Sequence, residues 1–544
     1  MFKSIFCGFC VLMYLLLFGA CKPPEKKFDE NSYVAHLLLA NTTLLVTEVA
    51  RNLEVPWDLE TKESGWIWFT QQKGTISRLH LATGKIEELM QLTDVFYRKS
   101  TGLLSMVLHP EFAYNPYVFI HYTYAVKDAH YNDEIFSKIV RYTFEDKQLK
   151  DAYTVVDRIP GNTYHNGSRM IITSDKKLWL GTGDAGSISL TQNIASYHGK
   201  ILRMELDGTV PADNPYPNSL LWSMGHRNIQ GIAFGNAKLY ASEHGPNNDD
   251  EINIIVKGGN YGWPNVEGFC DQEREKTYCT DVAIEEPLFA WTPTVAAAGL
   301  VYYDHTSIPE WNNSLLLATL KGQALRVLQL DEYGDNIEAE EIYFYRTFGR
   351  IRDVAVGTEG EVYIATSNLD WHPGHQPWMY DSLSTANGDR ILKIEIANKA
   401  MQKQLATLKN PVPVLAHKGP ITLPTENFNF NATTAELEKG QASYLTHCAS
   451  CHRANGSGNV GQIPPLVQSE WVSGNVSRLI DVTLRGLQTP ITVNGIEYHG
   501  EMPSYRNLED REITNILNYI RVAFGEAKGT IVPADIKHQR KGLN

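Results

Sequence analysis

From about residue 43 to residue 398 the chain repeats one pattern: an apolar strand, a polar turn, then a second strand of apolar and aromatic residues ending near Thr, Gly or Asp. Six copies run from Trp57 to Thr70, Met106 to Tyr122, Met170 to Thr182, Ile232 to Ser242, Leu300 to Thr319 and Val354 to Thr366. Further strand-like stretches follow them, as at Lys200 to Met204 and Arg390 to Ile394. Nothing in this span reads as a convincing helix. Recurring four-stranded units predict an all-β, six-bladed β-propeller, whose central channel gathers loops from every blade. A pair of β-sandwiches would leave the recurrence unexplained.

Between residues 399 and 431 the pattern stops. Pro411, Pro413, Pro420 and Pro424 punctuate a stretch without hydrophobic periodicity, which predicts a linker. Beyond it, Ala435 to Leu445 reads as a helix, and Ile513, Ile516, Leu517, Ile520 and Phe524 recur at helical spacing behind Glu509 and Asp510. Residues 432–526 are therefore expected to form a small all-α domain, with 527–544 as a tail.

The first twenty residues carry Lys3, an apolar run from Val11 to Phe18, and then Gly19-Ala20-Cys21, the order of an export signal. The small residues before Cys21 resemble a bacterial lipobox, although Phe18 departs from its usual aliphatic. Lipidation of Cys21 would make residues 21–42 a tether to the membrane. The alternatives are an ordinary signal peptide cut nearby or an uncleaved anchor. Each version places the body outside the cytoplasm, in a bacterial periplasm or cell envelope.

Of seven cysteines, Cys7, Cys10 and Cys21 belong to this leader. Cys270 and Cys279 sit in a polar loop, and an oxidising compartment would join them as a disulfide. The net charge of −13 and the lack of a Lys/Arg block exclude nucleic acid as a partner. Cys448 and Cys451 lie in Cys448-Ala449-Ser450-Cys451-His452, the c-type haem attachment pattern: two thiols for thioethers and His452 for the iron. A zinc pair or a redox disulfide would not account for the adjacent histidine. The sixth ligand is read as Met502, in His499-Gly500-Glu501-Met502-Pro503. An attachment motif at the first helix, a Met-Pro loop and a closing amphipathic helix resemble the class I cytochromes c.

In the large domain, Glu243 to Glu251 (EHGPNNDDE), Gly258 to Pro264 (GGNYGWP) and Gly225-His226-Arg227-Asn228 resemble the soluble glucose and aldose sugar dehydrogenases that use pyrroloquinoline quinone. Further matches are Gly102-Leu103-Leu104, His109-Pro110, His165-Asn166-Gly167, Pro293-Thr294-Val295-Ala296, Leu320-Lys321 and Arg350-Ile351-Arg352-Asp353. The resemblance spans nearly all of the propeller.

It implies that Asn228, Thr294, Lys321, Arg350 and Arg352 bind the quinone, while Arg227 also stabilises charge on its reduced form. Independently, a tricarboxylated quinone needs several cations and amide donors converging on one cavity. His165 is the implied general base, taking a proton from a sugar hydroxyl as hydride leaves the same carbon. The carbonyls of Gly245 and Pro246 are implied ligands of a calcium beside the quinone. Glu251, Tyr261, Glu267, Phe269 and Asp271 match a second, structural calcium site; a polar turn stapled by the neighbouring disulfide accounts for the same residues.

Two positions depart from the family. Ser100 stands where a glutamine is common, and Tyr164 where the glucose enzyme has an acidic residue; both face substrate. The expectation is a quinohaemoprotein that oxidises an aldose to its lactone and passes electrons to its own haem c, then to a downstream cytochrome or terminal oxidase. The alternatives are a dehydrogenase of a non-sugar alcohol and a non-catalytic binding propeller.

Overall fold

The computed structural model describes residues 32–127, 132–246, 248–291, 294–375, 383, 388–405, 415–418, 433–453, 456–459, 461–467, 469–494, 496–525 and 530–541. The leader and Cys21 lie outside the described residues.

Six large antiparallel sheets among the described residues form the blades of a propeller. Their innermost hairpins are Pro56–Glu60 with Trp66–Gln71, Leu103–Leu108 with Tyr117–Lys127, Met170–Ile172 with Leu178–Gly181, Ile229–Gly235 with Lys238–Glu243, Ala297–Tyr303 with Ser314–Thr319, and Ile351–Val356 with Val362–Thr366. These coincide with the six repeats. The first strands of successive hairpins touch one another around a closed ring. Inner strands are walled on both faces, so they read as apolar runs: every residue of Leu103–Leu108 and of Ser314–Thr319 is buried.

Strand Thr43–Leu53 closes the ring by pairing with Asp389–Ile396 of the sixth blade, from Leu44 opposite Ile396 to Leu53 opposite Asp389. Joining the two ends of the domain this way removes an open sheet edge.

Four segments differ from expectation. Within the expected tether, Tyr33–Leu38 is a strand paired with Thr43–Leu53, because Ala35 and Leu37 find apolar neighbours there. The polar loop at the disulfide holds a nine-residue helix, Glu273–Asp281, opened by a reciprocal Gln272/Glu275 capping box. Only Glu275 of that helix is buried, so no apolar periodicity announced it. The expected linker contains helix Lys399–Leu405, which buries Met401 and Leu405 against Leu45, and strand Leu415–Lys418, which pairs with Ile337–Tyr343. The expected tail forms helix Pro533–Lys541 with Ile536 buried, and Asn518 bonds both backbone groups of Ile531, each at 2.9 Å.

The small domain is built from helices Thr434–His447, Val476–Arg485 and Asp510–Ala523 around Tyr444, Leu484, Ile513, Leu517 and Ile520. It sits against the outer edge of the fourth and fifth blades, where Arg453 pairs with Glu340 at 2.9 Å. No helix among the described residues is long and apolar enough to cross a membrane.

Candidate active site

Loops at one end of the propeller enclose a cavity of about 430 Å³, within the usual span of small-molecule sites. It gathers His165, Asn228 and Thr294 with the cations Arg227, Lys321, Arg350 and Arg352. Gly245 and Pro246 form part of the wall, and Ser100 and Tyr164 also line the cavity. Residues from distant blades meet here because each inner hairpin delivers one loop to the same end.

His165 follows a turn in which its own φ is 55°. The backbone of Gly183 passes so close that a Cβ there would lie 2.0 Å from the His165 carbonyl oxygen. This crossing brings the imidazole to Asp184, with Nδ1 2.9 Å from Oδ1. Asp184 also accepts the Gly186 amide at 2.8 Å and the Trp263 indole at 3.1 Å. Burial alone would raise this carboxyl, but the hydrogen bond and charge of His165 outweigh it and hold the acid below its usual range. With Nδ1 engaged, Nε2 is the nitrogen available to a ligand.

The opposite part of the cavity is cationic. Arg350 and Arg352 share one carboxylate, Asp370, at 2.6 and 3.4 Å, so the pair keeps a net positive charge. Burial pulls Arg352 down to about 10 and also lowers Arg227 and Lys321 against the attraction of nearby carboxylates, the mark of cations withdrawn from solvent. Lys321 donates to the Thr294 hydroxyl at 2.9 Å. Arg227 donates to the His244 carbonyl at 2.9 Å and lies over the Trp263 ring. Arg227 Nε, Arg352 Nε and His244 Nε2 are buried without a hydrogen-bond partner. The orphaned Nε–H donors of Arg227 and Arg352 suit a ligand rich in anionic oxygen acceptors, as a tricarboxylated quinone is.

Tyr164 is 42% exposed and meets the His165 ring edge-on at 5.0 Å. Ser100 is tied to the same segment through its amide, which donates to the Thr163 carbonyl at 3.1 Å. Trp57 and Trp371 supply aromatic walls.

Behind Arg227 a smaller cavity brings together Glu251, Tyr261 and Glu267; Phe269 and Asp271 are not among its lining residues. Asn253 bridges the buried carboxylates Glu243 and Glu251 at 2.8 and 2.9 Å. Burial, with Glu243 adding like charge, pushes Glu251 well above the usual range. The Tyr261 hydroxyl is committed to the Ile254 carbonyl. Among the described residues, no three His, Cys, Asp or Glu side chains converge as a metal cluster. A cation at either calcium position would depend largely on backbone oxygen. Cys270 and Cys279 are joined as a disulfide.

In the small domain, two adjoining cavities lie between His452 and Met502, with Cys448 and Cys451 on their walls. Leu466, Val472, Leu479, Leu487, Ile516 and Ile520 make the larger one apolar. A largely hydrocarbon macrocycle fits that lining. His452 Nδ1 bonds the Pro464 carbonyl at 3.0 Å, which fixes the ring plane and leaves Nε2 to ligate. His499 is not among the lining residues, and its side chain is 45% exposed.

Sequence reasoning missed Asp184, Asp370 and His244. Each is a single polar residue beside a recognised one, and only the turn geometry aims it inward. Gly183-Asp184-Ala185-Gly186, a glycine-flanked acid closing a strand, was the available signal for Asp184, and His244 stood unassigned inside the EHGPNNDDE run.

The fold and its two sites, one in each domain, define an oxidoreductase propeller joined to a cytochrome c domain. Residues 53–372 match the glucose/sorbosone dehydrogenase family and residues 437–523 match cytochrome c. The first match spans more than half of the 544 residues, and the chain belongs to the glucose/sorbosone dehydrogenase family. Quinoprotein glucose dehydrogenase B of Acinetobacter calcoaceticus is 29% identical over 404 residues, covering 58% of this chain and 84% of its own. The PQQ-bound form of aldose sugar dehydrogenase from Streptomyces coelicolor superimposes with a TM-score of 0.56 at 30% identity, covering 65% of this chain and 98% of that one. Cytochrome c-552 of Thermus thermophilus is 43% identical over 91 residues, 16% of this chain and 70% of its own.

Proposed function

We propose that the propeller oxidises an aldose at its anomeric carbon to the lactone, with pyrroloquinoline quinone and calcium, and that electrons pass to a haem c in the same chain. The observation that carries this reading is one cavity holding a carboxylate-oriented imidazole together with buried cations, two of them with orphaned Nε–H donors. The quinone, held by Asn228, Thr294, Lys321, Arg350 and Arg352, supplies the hydride acceptor.

His165 Nε2 removes the proton from the sugar hydroxyl, and Asp184 stabilises the imidazolium that results. Arg227 would supply positive charge to stabilise the reduced form of the bound quinone. Gly245 and Pro246 offer carbonyl oxygens to a calcium acting as a Lewis acid. Glu251, Tyr261 and Glu267, which share one small cavity, are the candidates for a second calcium, while Phe269 and Asp271 lie outside its lining and belong to the turn stapled by the disulfide. Ser100 and Tyr164 face the substrate, and their departure from the family sets which aldose fits.

Cys448 and Cys451 would hold a haem c through thioethers, with His452 and Met502 as the residues available to its iron. A terminal acceptor, another cytochrome or an oxidase, then takes the electrons. The protein works in a bacterial periplasm or cell envelope, anchored through a lipid on Cys21, which mass spectrometry of the mature N-terminus tests.

The functional test is reconstitution of the haem-loaded protein with calcium and pyrroloquinoline quinone, followed by haem absorbance on adding aldoses and simple alcohols. Reduction by aldoses is expected. Reduction by alcohols alone replaces the substrate class, and no reduction by any of them overturns the relay.

A further inference from the structure

Carboxylates are almost never fully buried unless they are paired. Glu340, at the centre of Ile337–Tyr343 in the fifth blade, is 3% exposed. One of its oxygens accepts from Arg326 of the neighbouring strand and, at 2.9 Å, from the Trp291 indole of the fourth blade. Its other oxygen accepts from Arg453 at 2.9 Å. Arg453 belongs to the small domain and directly follows His452.

Around this cluster the contact continues. Arg453 lies over the Phe289 ring at 5.1 Å, and Arg326 reaches the Asn459 side chain at 3.3 Å. The Gly461 backbone presses on Tyr345 so closely that any Cβ there would collide with the phenol oxygen. Arg453, Asn459 and Gly461 all lie in the segment that ends at Pro464, whose carbonyl orients His452. The segment that grips the propeller is therefore the one that sets the imidazole.

On the propeller side, Lys321 of the cavity lies on the turn that enters Ala324–Leu330, the strand of Arg326. A carboxylate buried between two guanidiniums tolerates little displacement, because separating the partners leaves charge stranded away from water.

We propose that Glu340 is a positioning residue that locks the haem-bearing domain in one pose in the wedge between the fourth and fifth blades, and that electrons cross from the propeller in this pose rather than through a swinging tether. The second half of the statement rests on the relay proposed above; the first does not.

The test uses the full-length, haem-loaded chain with Glu340→Arg, Arg453→Glu and the double exchange, which restores two guanidiniums and one carboxylate at the contact. Small-angle scattering reads the pose without any turnover. Steady-state oxidation with a small soluble acceptor reads the propeller alone, and rapid-mixing absorbance reads haem reduction by substrate.

Each single reversal is expected to increase the maximum dimension, leave soluble-acceptor turnover at the wild-type level and slow haem reduction by about tenfold or more. The double exchange restores both compactness and rate. Unchanged scattering in both single variants overturns the latch. Released domains with wild-type haem reduction overturn the electron-transfer pose. Should the reversals fail to fold, Glu340→Gln supports the proposal if haem reduction alone slows and overturns it if nothing changes. Absence of soluble-acceptor turnover in the wild type counts against the catalytic reading only, and scattering still decides the latch.

Discussion

His165 and Asp184 form a 2.9 Å hydrogen bond in which the carboxylate is fully buried and the imidazole borders the cavity. That relationship converts an ordinary histidine into an oriented base, since a buried anion selects the tautomer with the proton on Nδ1. Asp184→Asn removes the charge while keeping the shape. The kcat for aldose oxidation with a soluble acceptor is expected to fall about 10²–10⁴-fold, with quinone affinity at the wild-type level by fluorescence titration.

Asp370 holds Arg350 and Arg352 together. Burial acts to raise its acid, but the two guanidiniums prevail and hold it below the usual carboxylate range. The stability it contributes is therefore complete above that range and is lost as pH falls through the depressed value. Asp370→Ala should cost the apoprotein about 3–5 kcal/mol in urea unfolding at neutral pH. Added quinone should narrow the gap, because its carboxylates replace the missing anion.

Met502 borders the haem cavity, whereas His499 is turned to solvent. Thioether ligation raises a haem potential relative to other ligand sets. Met502→Ala is expected to lower the midpoint potential and change the haem absorption spectrum. His499→Ala should leave both as in the wild type, and potentiometric titration separates them.

Lys200 is buried, and its ammonium donates to the carbonyls of Leu190, Thr191 and His198 at 3.2, 2.7 and 2.5 Å. Burial pulls it down to about 7. Unfolded chains carry lysine near 10.4, so between these values the unfolded state binds more protons and stability rises with pH. Urea unfolding of the apoprotein should show this rise between about pH 7 and 10. Lys200→Met should remove it, with a slope difference of up to about 1.4 kcal/mol per pH unit.

Much of the architecture was legible because inner propeller strands are buried on both faces and repeat. Trp57 to Thr70 and Leu300 to Thr319 announce themselves by composition alone. Tyr33–Leu38 and Leu415–Lys418 did not, since an added outer strand owes its shape to the edge it joins. The helix Glu273–Asp281 escaped for a related reason: its capping box forms it, while its faces remain polar.

Local chemistry followed the same division. The haem attachment motif is readable from residue type and spacing, as covalent chemistry demands particular groups in particular order, whereas the arginines of the large domain were legible only through motifs that resemble a known family. The pairing of His165 with Asp184, of Arg350 and Arg352 with one carboxylate, and of Glu340 with Arg453 was decided by the tertiary structure. Those partners come from different turns, blades and domains, and a low-dielectric interior makes their geometry matter only once folding has brought them together.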